Sequence, residues 1–87
     1  MINLTKNELF TKALIRYLDS LTKKTNYGLL VDSDKISISD IELSNDMIDH
    51  LINIIDFVIL ECYRTEYQFN YRKINDMIVF YNFSEVE

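Results

Sequence analysis

Apolar positions recur at helical spacing over the first quarter of the chain and predict an amphipathic helix over about residues 5–25. Thr5 and Glu8 have the spacing of a capping box, which predicts where the helix begins. The cations Lys12, Arg16 and Lys23 fall on the side opposite the apolar stripe. This first element is therefore predicted to bury one face and expose a basic one.

Two short β-favouring runs follow, at residues 29–31 and 35–38, around a turn rich in Asp and Ser. This pattern predicts a β-hairpin. Ile36 and Ile38 share one parity, whereas Ile41 and Leu43 have the other. Because side chains alternate between the two faces of a strand, this shift predicts a bulge or bend near residues 39–40.

Ser44 is a favourable N-cap, and the apolar spacing behind it predicts a second helix. The pattern changes at FVIL, residues 57–60, which directs apolar side chains to all sides of that helix. A helix that is apolar all round must be covered all round. We expect either the C-terminal segment or another chain to cover it.

The last segment is ambiguous between helix and strand. Tyr67, Tyr71, Ile74, Ile78 and Tyr81 keep a heptad-like spacing, which favours a third helix within residues 65–83. MIVFYNF, residues 77–83, has the composition of a strand, which is the open alternative. The predicted fold is a single α+β domain over residues 1–87 with the order αββαα: a helix, a short hairpin and two helices.

Composition and charge place the chain among folded, acidic proteins. Nearly half of the residues are apolar, with one glycine and no proline, and the net charge is −5. Residues 31–63 hold eight acidic groups and one basic group, whereas residues 1–30 hold five basic and two acidic groups. A segregated distribution of this kind creates a directional electric field.

Most catalytic and metal-binding chemistries find no support in the sequence. Asp32 and Asp34 begin a calcium-loop pattern, but Ile36, Ser37 and Leu43 occupy positions where that loop needs a ligand, a glycine and a glutamate. His50 and Cys62 are separated by roughly 18 Å along one predicted helix, too far for a catalytic pair. We therefore predict no enzyme activity, no cofactor and no metal ion.

The sequence also bears on nucleic-acid binding, on membrane insertion and on the cellular compartment. Aromatic and basic residues interleave over residues 63–73, as in single-strand binders, but the chain lacks the basic footprint that nucleic-acid binding needs. No stretch approaches the ~20 apolar residues of a membrane helix. Cys62 is the only cysteine, which fits a reducing compartment. We predict a cytoplasmic protein without direct nucleic-acid or membrane binding.

After these exclusions, the function that the sequence favours is binding to a basic protein partner. The predicted binding residues are carboxylates from the central third, with two apolar residues beside them: Asp32, Asp34, Asp40, Glu42, Asp46, Asp49, Asp56, Phe57 and Leu60. Small acidic proteins without an active site are typical of inhibitors such as toxin-immunity and anti-CRISPR proteins of phages and mobile elements. The hypothesis is an inhibitor that occludes the basic site of a nuclease or another nucleic-acid-handling protein.

Two alternatives stay open. The need to cover residues 57–60 and the Tyr-rich end favours a homodimer that serves as a structural or regulatory adaptor. The basic side of the first helix favours, more weakly, a nucleic-acid-binding regulator.

Overall fold

A computed structural model describes residues 2–23 and 26–86 of the chain. After a 3₁₀ turn at Leu4–Lys6, the elements are α1 (Glu8–Thr22), β1 (Gly28–Val31), β2 (Ile36–Ser39), α2 (Asn45–Tyr63), β3 (Tyr67–Ile74) and β4 (Met77–Glu85). The four strands form one sheet in the order β1-β2-β4-β3, with every neighbouring pair antiparallel. The order of elements is αββαββ.

The predicted order αββαα is wrong, because a second hairpin replaces the third helix. Ile74 pairs with Met77 across a two-residue connection, Asn75 and Asp76, and Asn75 has φ 53°. Asparagine tolerates this left-handed conformation better than most residues, and it favours tight hairpin turns. The strand alternative is the one that the structure adopts.

The heptad-like spacing in this segment does not reflect a helix. Ile78 pairs with Ile38 of β2 and is fully buried, whereas Tyr81 belongs to the alternate set of β4 residues and is half-buried. Period-2 alternation along β4 therefore decides burial, with Ile78 and Phe80 on one face and Met77 and Val79 on the other.

The first four predicted elements are present with small changes of boundary. Asp40 has φ 63° directly after β2, so the predicted bend near residues 39–40 is confirmed. Ser44 is the N-cap of α2, as predicted, and its Oγ accepts a hydrogen bond from the amide of Met47 at 3.1 Å. The predicted Thr5–Glu8 capping box is wrong, because Asn7 caps α1.

The side chain of Asn7 forms hydrogen bonds with both helices, at the start of α1 and at the end of α2. Its side-chain oxygen accepts a hydrogen bond from the Leu9 amide at 3.0 Å, and its side-chain nitrogen donates to the Cys62 carbonyl at 3.1 Å. One side chain thus satisfies an unpaired donor at the start of α1 and an unpaired acceptor at the end of α2.

The core lies between the two helices and one face of the sheet. Directly paired residues of an antiparallel sheet share a face. The pairs Ile36–Phe80 and Ile38–Ile78 are fully buried, and helix residues from both α1 and α2 complete the cluster, among them Phe10, Leu14, Leu51, Ile55 and Val58. No polar or charged residue among those described is buried.

A bulge near the end of β4 extends this core. Asn70 pairs with Tyr81 and Gln68 with Ser84, so β4 has one residue more than β3 in this interval. Asn82 has φ 59° at this point. Because of the extra residue, Phe83 faces the core as Phe80 does, and Phe69 packs against both rings at 5.1 and 5.8 Å.

We predict that Asn7→Ala lowers the free energy of unfolding by about 1–2 kcal/mol, because α1 loses its cap and the Cys62 carbonyl loses a donor. Urea denaturation measures this loss. Thr5→Ala is the control and is expected to cost less than about 0.5 kcal/mol. An equal or larger loss in the Thr5 variant would contradict the assignment of the cap.

We predict that Asn82→Val destabilises the protein by about 1–2 kcal/mol more than Asn82→Gly, because a β-branched residue is strained at positive φ and glycine is not. Thermal unfolding of both variants gives the comparison. Asn70→Val, on the opposite strand beside the bulge and without positive φ, is the matched control and should cost little. Equal melting temperatures for the two Asn82 variants would rule out the left-handed bulge.

Candidate functional site

The solvent-exposed side of α2 combines carboxylates with large apolar side chains. At 100° per residue, Asp46, Asp49, Asp56, Phe57, Leu60 and Glu61 point away from the buried stripe of the helix, and all six are exposed. We call these six residues the α2 outer face. Phe57 retains 48% of its accessible surface and Leu60 retains 52%.

The C-terminal segment does not cover residues 57–60 on all sides, so the first of the two expected covers is wrong for the described residues, and cover by another chain stays a prediction. Val58 and Ile59 are buried in the core, but β3 and β4 leave Phe57 and Leu60 exposed. The Phe57 ring lies 5.4 Å from the Tyr17 ring of α1, so it is held in place. A shallow depression of about 320 Å³ adjoins it, lined by Tyr17, Leu21, His50, Asn53, Ile54 and Phe57.

Asp56 stands where the α2 outer face meets a groove between α2 and β3. This groove, of about 370 Å³, is lined by aromatic and acidic side chains that include Glu66, Tyr67 and Tyr71. Partial burial raises the pKa of Asp56 above its ordinary value, and the negative charge of Glu66 adds to the effect. The negative charge of Glu66 favours a cation beside this carboxylate, since a positive charge would offset the repulsion between the two groups.

The other predicted binding residues divide into two groups. Asp40 and Glu42 are exposed in the connection that leads from β2 into α2. Asp32 and Asp34 lie in the turn before β2, at its opposite end, which the four residues of that strand place roughly 13 Å away. The acidic residues of the central third therefore do not form one surface.

A second surface was missed by sequence reasoning. The sheet face turned away from the helices forms a concavity of about 1050 Å³. Its lining includes the strand residues Gly28, Leu30, Ser37, Ser39, Arg72, Ile74, Met77, Val79 and Tyr81, which we call the open sheet face. The signal was present in MIVFYNF, because a strand that is apolar at both parities is typical of one covered on both faces.

Cys62 and His50 lie on α2 and do not meet within one chain. The twelve helical steps from His50 to Cys62 span about 18 Å. Burial raises the pKa of the Cys62 thiol, and the neighbouring charge of Glu61 raises it further, so the thiol is kept protonated. A protonated thiol is a poor nucleophile.

Metal-binding and membrane-crossing features are absent from residues 2–23 and 26–86. No group of three or more His, Cys, Asp or Glu side chains there is arranged to hold a metal ion. Neither described helix has the length and apolar character that crossing a membrane requires.

We predict that Asp56→Asn raises the free energy of unfolding at neutral pH by up to about 0.5 kcal/mol, a small gain because the group is largely exposed. A raised pKa means that the folded state binds a proton more tightly than the unfolded chain does. The contribution of Asp56 to stability is therefore fully present below its ordinary pKa and is lost as the pH rises through the raised one.

Denaturation of Asp56→Asn and wild-type protein from about pH 3 to pH 7 should show a difference that opens with rising pH. Asp49→Asn, which removes a carboxylate from the same face of α2 outside the groove, is the control. A stability difference of opposite sign at neutral pH would contradict the assignment.

Comparisons of this chain with protein-family models, with curated proteins and with solved structures found no match. The α2 outer face and the open sheet face are therefore the features from which a function can be inferred.

Proposed function

We propose that this chain is a non-enzymatic binding protein whose α2 outer face docks on a basic surface of another protein and occludes it. The observation that carries this proposal is the exposure of Phe57 and Leu60 within a row of carboxylates. Fully buried apolar anchors surrounded by a polar rim supply most of the binding energy in many interfaces. Phe57 is already positioned by Tyr17, so little side-chain entropy is lost on binding.

The charge distribution supports a cationic partner. Four carboxylates, those of Asp46, Asp49, Asp56 and Glu61, belong to the α2 outer face, and Asp40 and Glu42 precede it. Such a surface accelerates association with a basic protein and selects against acidic ones. The raised pKa of Asp56 adds a local preference, because a lysine or arginine in the groove beside it would relieve the repulsion from Glu66.

A nuclease or another nucleic-acid-handling protein is the partner class that we favour. Such proteins contact phosphates through lysine and arginine side chains, and a row of carboxylates competes for the same groups. Inhibition would then follow from steric and electrostatic occlusion of the nucleic-acid site, as toxin-immunity and anti-CRISPR proteins do as a class. A cytoplasmic site of action belongs to the same proposal, since Cys62 is the only cysteine.

The test measures binding and inhibition with a panel of purified basic nucleases: a DNase toxin domain, a ribonuclease toxin domain and a Cas9-type nuclease. We expect a stoichiometric complex with a member of the panel and loss of its activity. The dissociation constant should rise about tenfold or more between ~50 and ~300 mM salt, because screening weakens the attraction between exposed charges.

Two variants separate the contribution of the apolar residues to binding from that of the carboxylates. Phe57→Ala/Leu60→Ala should weaken binding about tenfold or more through a faster dissociation rate. Asp46→Asn/Asp49→Asn/Asp56→Asn should slow association and reduce the salt dependence.

Two control variants remove an apolar side chain or carboxylates outside the α2 outer face. They are Leu9→Ala, at an exposed leucine of α1 (68% exposed), and Glu8→Gln/Asp76→Asn. A complex that is indifferent to salt and to both outer-face variants would overturn the proposal.

A structural or regulatory adaptor is the second candidate function. The observation that favours it is the apolar open sheet face, on the opposite side of the sheet from α2.

A further inference from the structure

The open sheet face carries large apolar side chains on β4, on β3 and at the β1 edge, where an antiparallel sheet normally presents polar side chains. Sheets with one solvated face alternate apolar and polar residues along each strand. Here Ile74, Met77, Val79 and Tyr81 face the concavity, and Leu30 on the far edge is 59% exposed. Contiguous apolar patches of this kind mark interaction surfaces.

We propose that the open sheet face binds the same face of a second copy of this chain, with a twofold axis parallel to the strands and between β2 and β4. In this arrangement β2 of one copy lies over β4 of the other, and β1 lies over β3. The result is a dimer with two packed sheets at its centre and the helices of each copy on the outside.

The shape of the face is complementary to itself about this axis. Gly28, Ser39, Met77 and Ile74 form one row across the sheet, and Leu30, Ser37, Val79 and Arg72 form the next. Rotation about the axis places the small residues Gly28, Ser37 and Ser39 over large residues of β3 and β4, and it places Leu30 over Arg72. Ser39 then faces Met77, Ser37 faces Val79, and Gly28 faces Ile74.

The charges are complementary about the same axis. Asp32, Asp34 and Lys35 line the concavity at the β1–β2 turn with a net charge of −1, whereas Arg72 lines it at the β3 side. The rotation brings the β1 side of one copy over the β3 side of the other. Arg72 of each copy then lies about two residues along the strand direction from Asp32 of the other copy, a distance that the Arg72 side chain can reach. Within one chain β1 and β3 are separated by three strand spacings, roughly 14 Å, so Arg72 and Asp32 of the same chain do not form an ion pair.

This inference is independent of the proposed function. The α2 outer face and the open sheet face lie on opposite sides of the sheet, so the dimer leaves both copies of α2 free. Each copy would then offer its own docking surface, and the assembly would be bivalent.

Sedimentation equilibrium of the full chain tests the proposal, at concentrations up to about 0.5 mM because a face of four short strands is at the small end of stable interfaces. We expect a concentration-dependent dimer. Val79→Lys, which places a charge at the centre of the face, should shift the protein to monomer. Leu60→Lys on the α2 outer face is the matched control and should leave the dimer unchanged.

Charge reversal provides a test that does not depend on a substitution within the apolar patch. Arg72→Asp and Asp32→Arg should each weaken dimerisation about tenfold, because like charges then face one another across the interface. The double variant should recover most of the wild-type affinity, since both pairs are restored with opposite polarity. Circular dichroism and thermal unfolding verify that each variant is folded.

Three results would overturn the proposal: a monomer over the whole concentration range, a folded Val79→Lys variant that dimerises like the wild type, or a dimer that Leu60→Lys dissociates. Loss of nuclease binding in the outer-face variants with an intact dimer, or the reverse, separates the two proposals from each other.

Discussion

Strand β4 carries apolar side chains on both of its faces, and the rest of the structure depends on it. Ile78 and Phe80 meet Ile36 and Ile38 of β2 under the two helices, and the pairing of β4 with both β2 and β3 joins two hairpins into one sheet. A two-stranded hairpin is marginal by itself in water. Each hairpin is therefore stabilised through β4 and through the helices that cover one face of the combined sheet.

The chain makes its sharp turns almost without glycine. Among residues 2–23 and 26–86, five have positive φ, and three of these are Asp40, Asn75 and Asn82. Their short polar side chains tolerate the left-handed conformation, so the sequence uses asparagine and aspartate where many proteins use glycine. These three positions control which residues face the core, because each lies at a bend, a hairpin turn or a bulge beside β2 or β4. Asn7 serves the helices in a comparable way by linking the start of α1 to the end of α2.

Covering only one face of the sheet divides the surface into two parts with different chemistry. On the helical side, Phe57 and Leu60 are exposed among carboxylates, which fits a basic partner. On the other side, the apolar row of β4 lies between Arg72 and the acidic β1–β2 turn, which fits a second copy. Because the core separates the two surfaces, either can be occupied without blocking the other.

Local pattern in the sequence was enough to predict α1, the first hairpin, the bend after β2, and α2 with its Ser44 cap, because each depends on residues within a few positions. It also identified Phe57 and Leu60 as apolar residues in an acidic setting. The sequence did not determine residues 67–85, since the same apolar spacing is compatible with helix and strand, and only pairing of β4 with the distant β2 decides between them. For the same reason the open sheet face and the separation of Asp32 from Asp46 became visible only in the tertiary structure: strand order brings Leu30 and Ile74 to one surface, and no local pattern encodes that order.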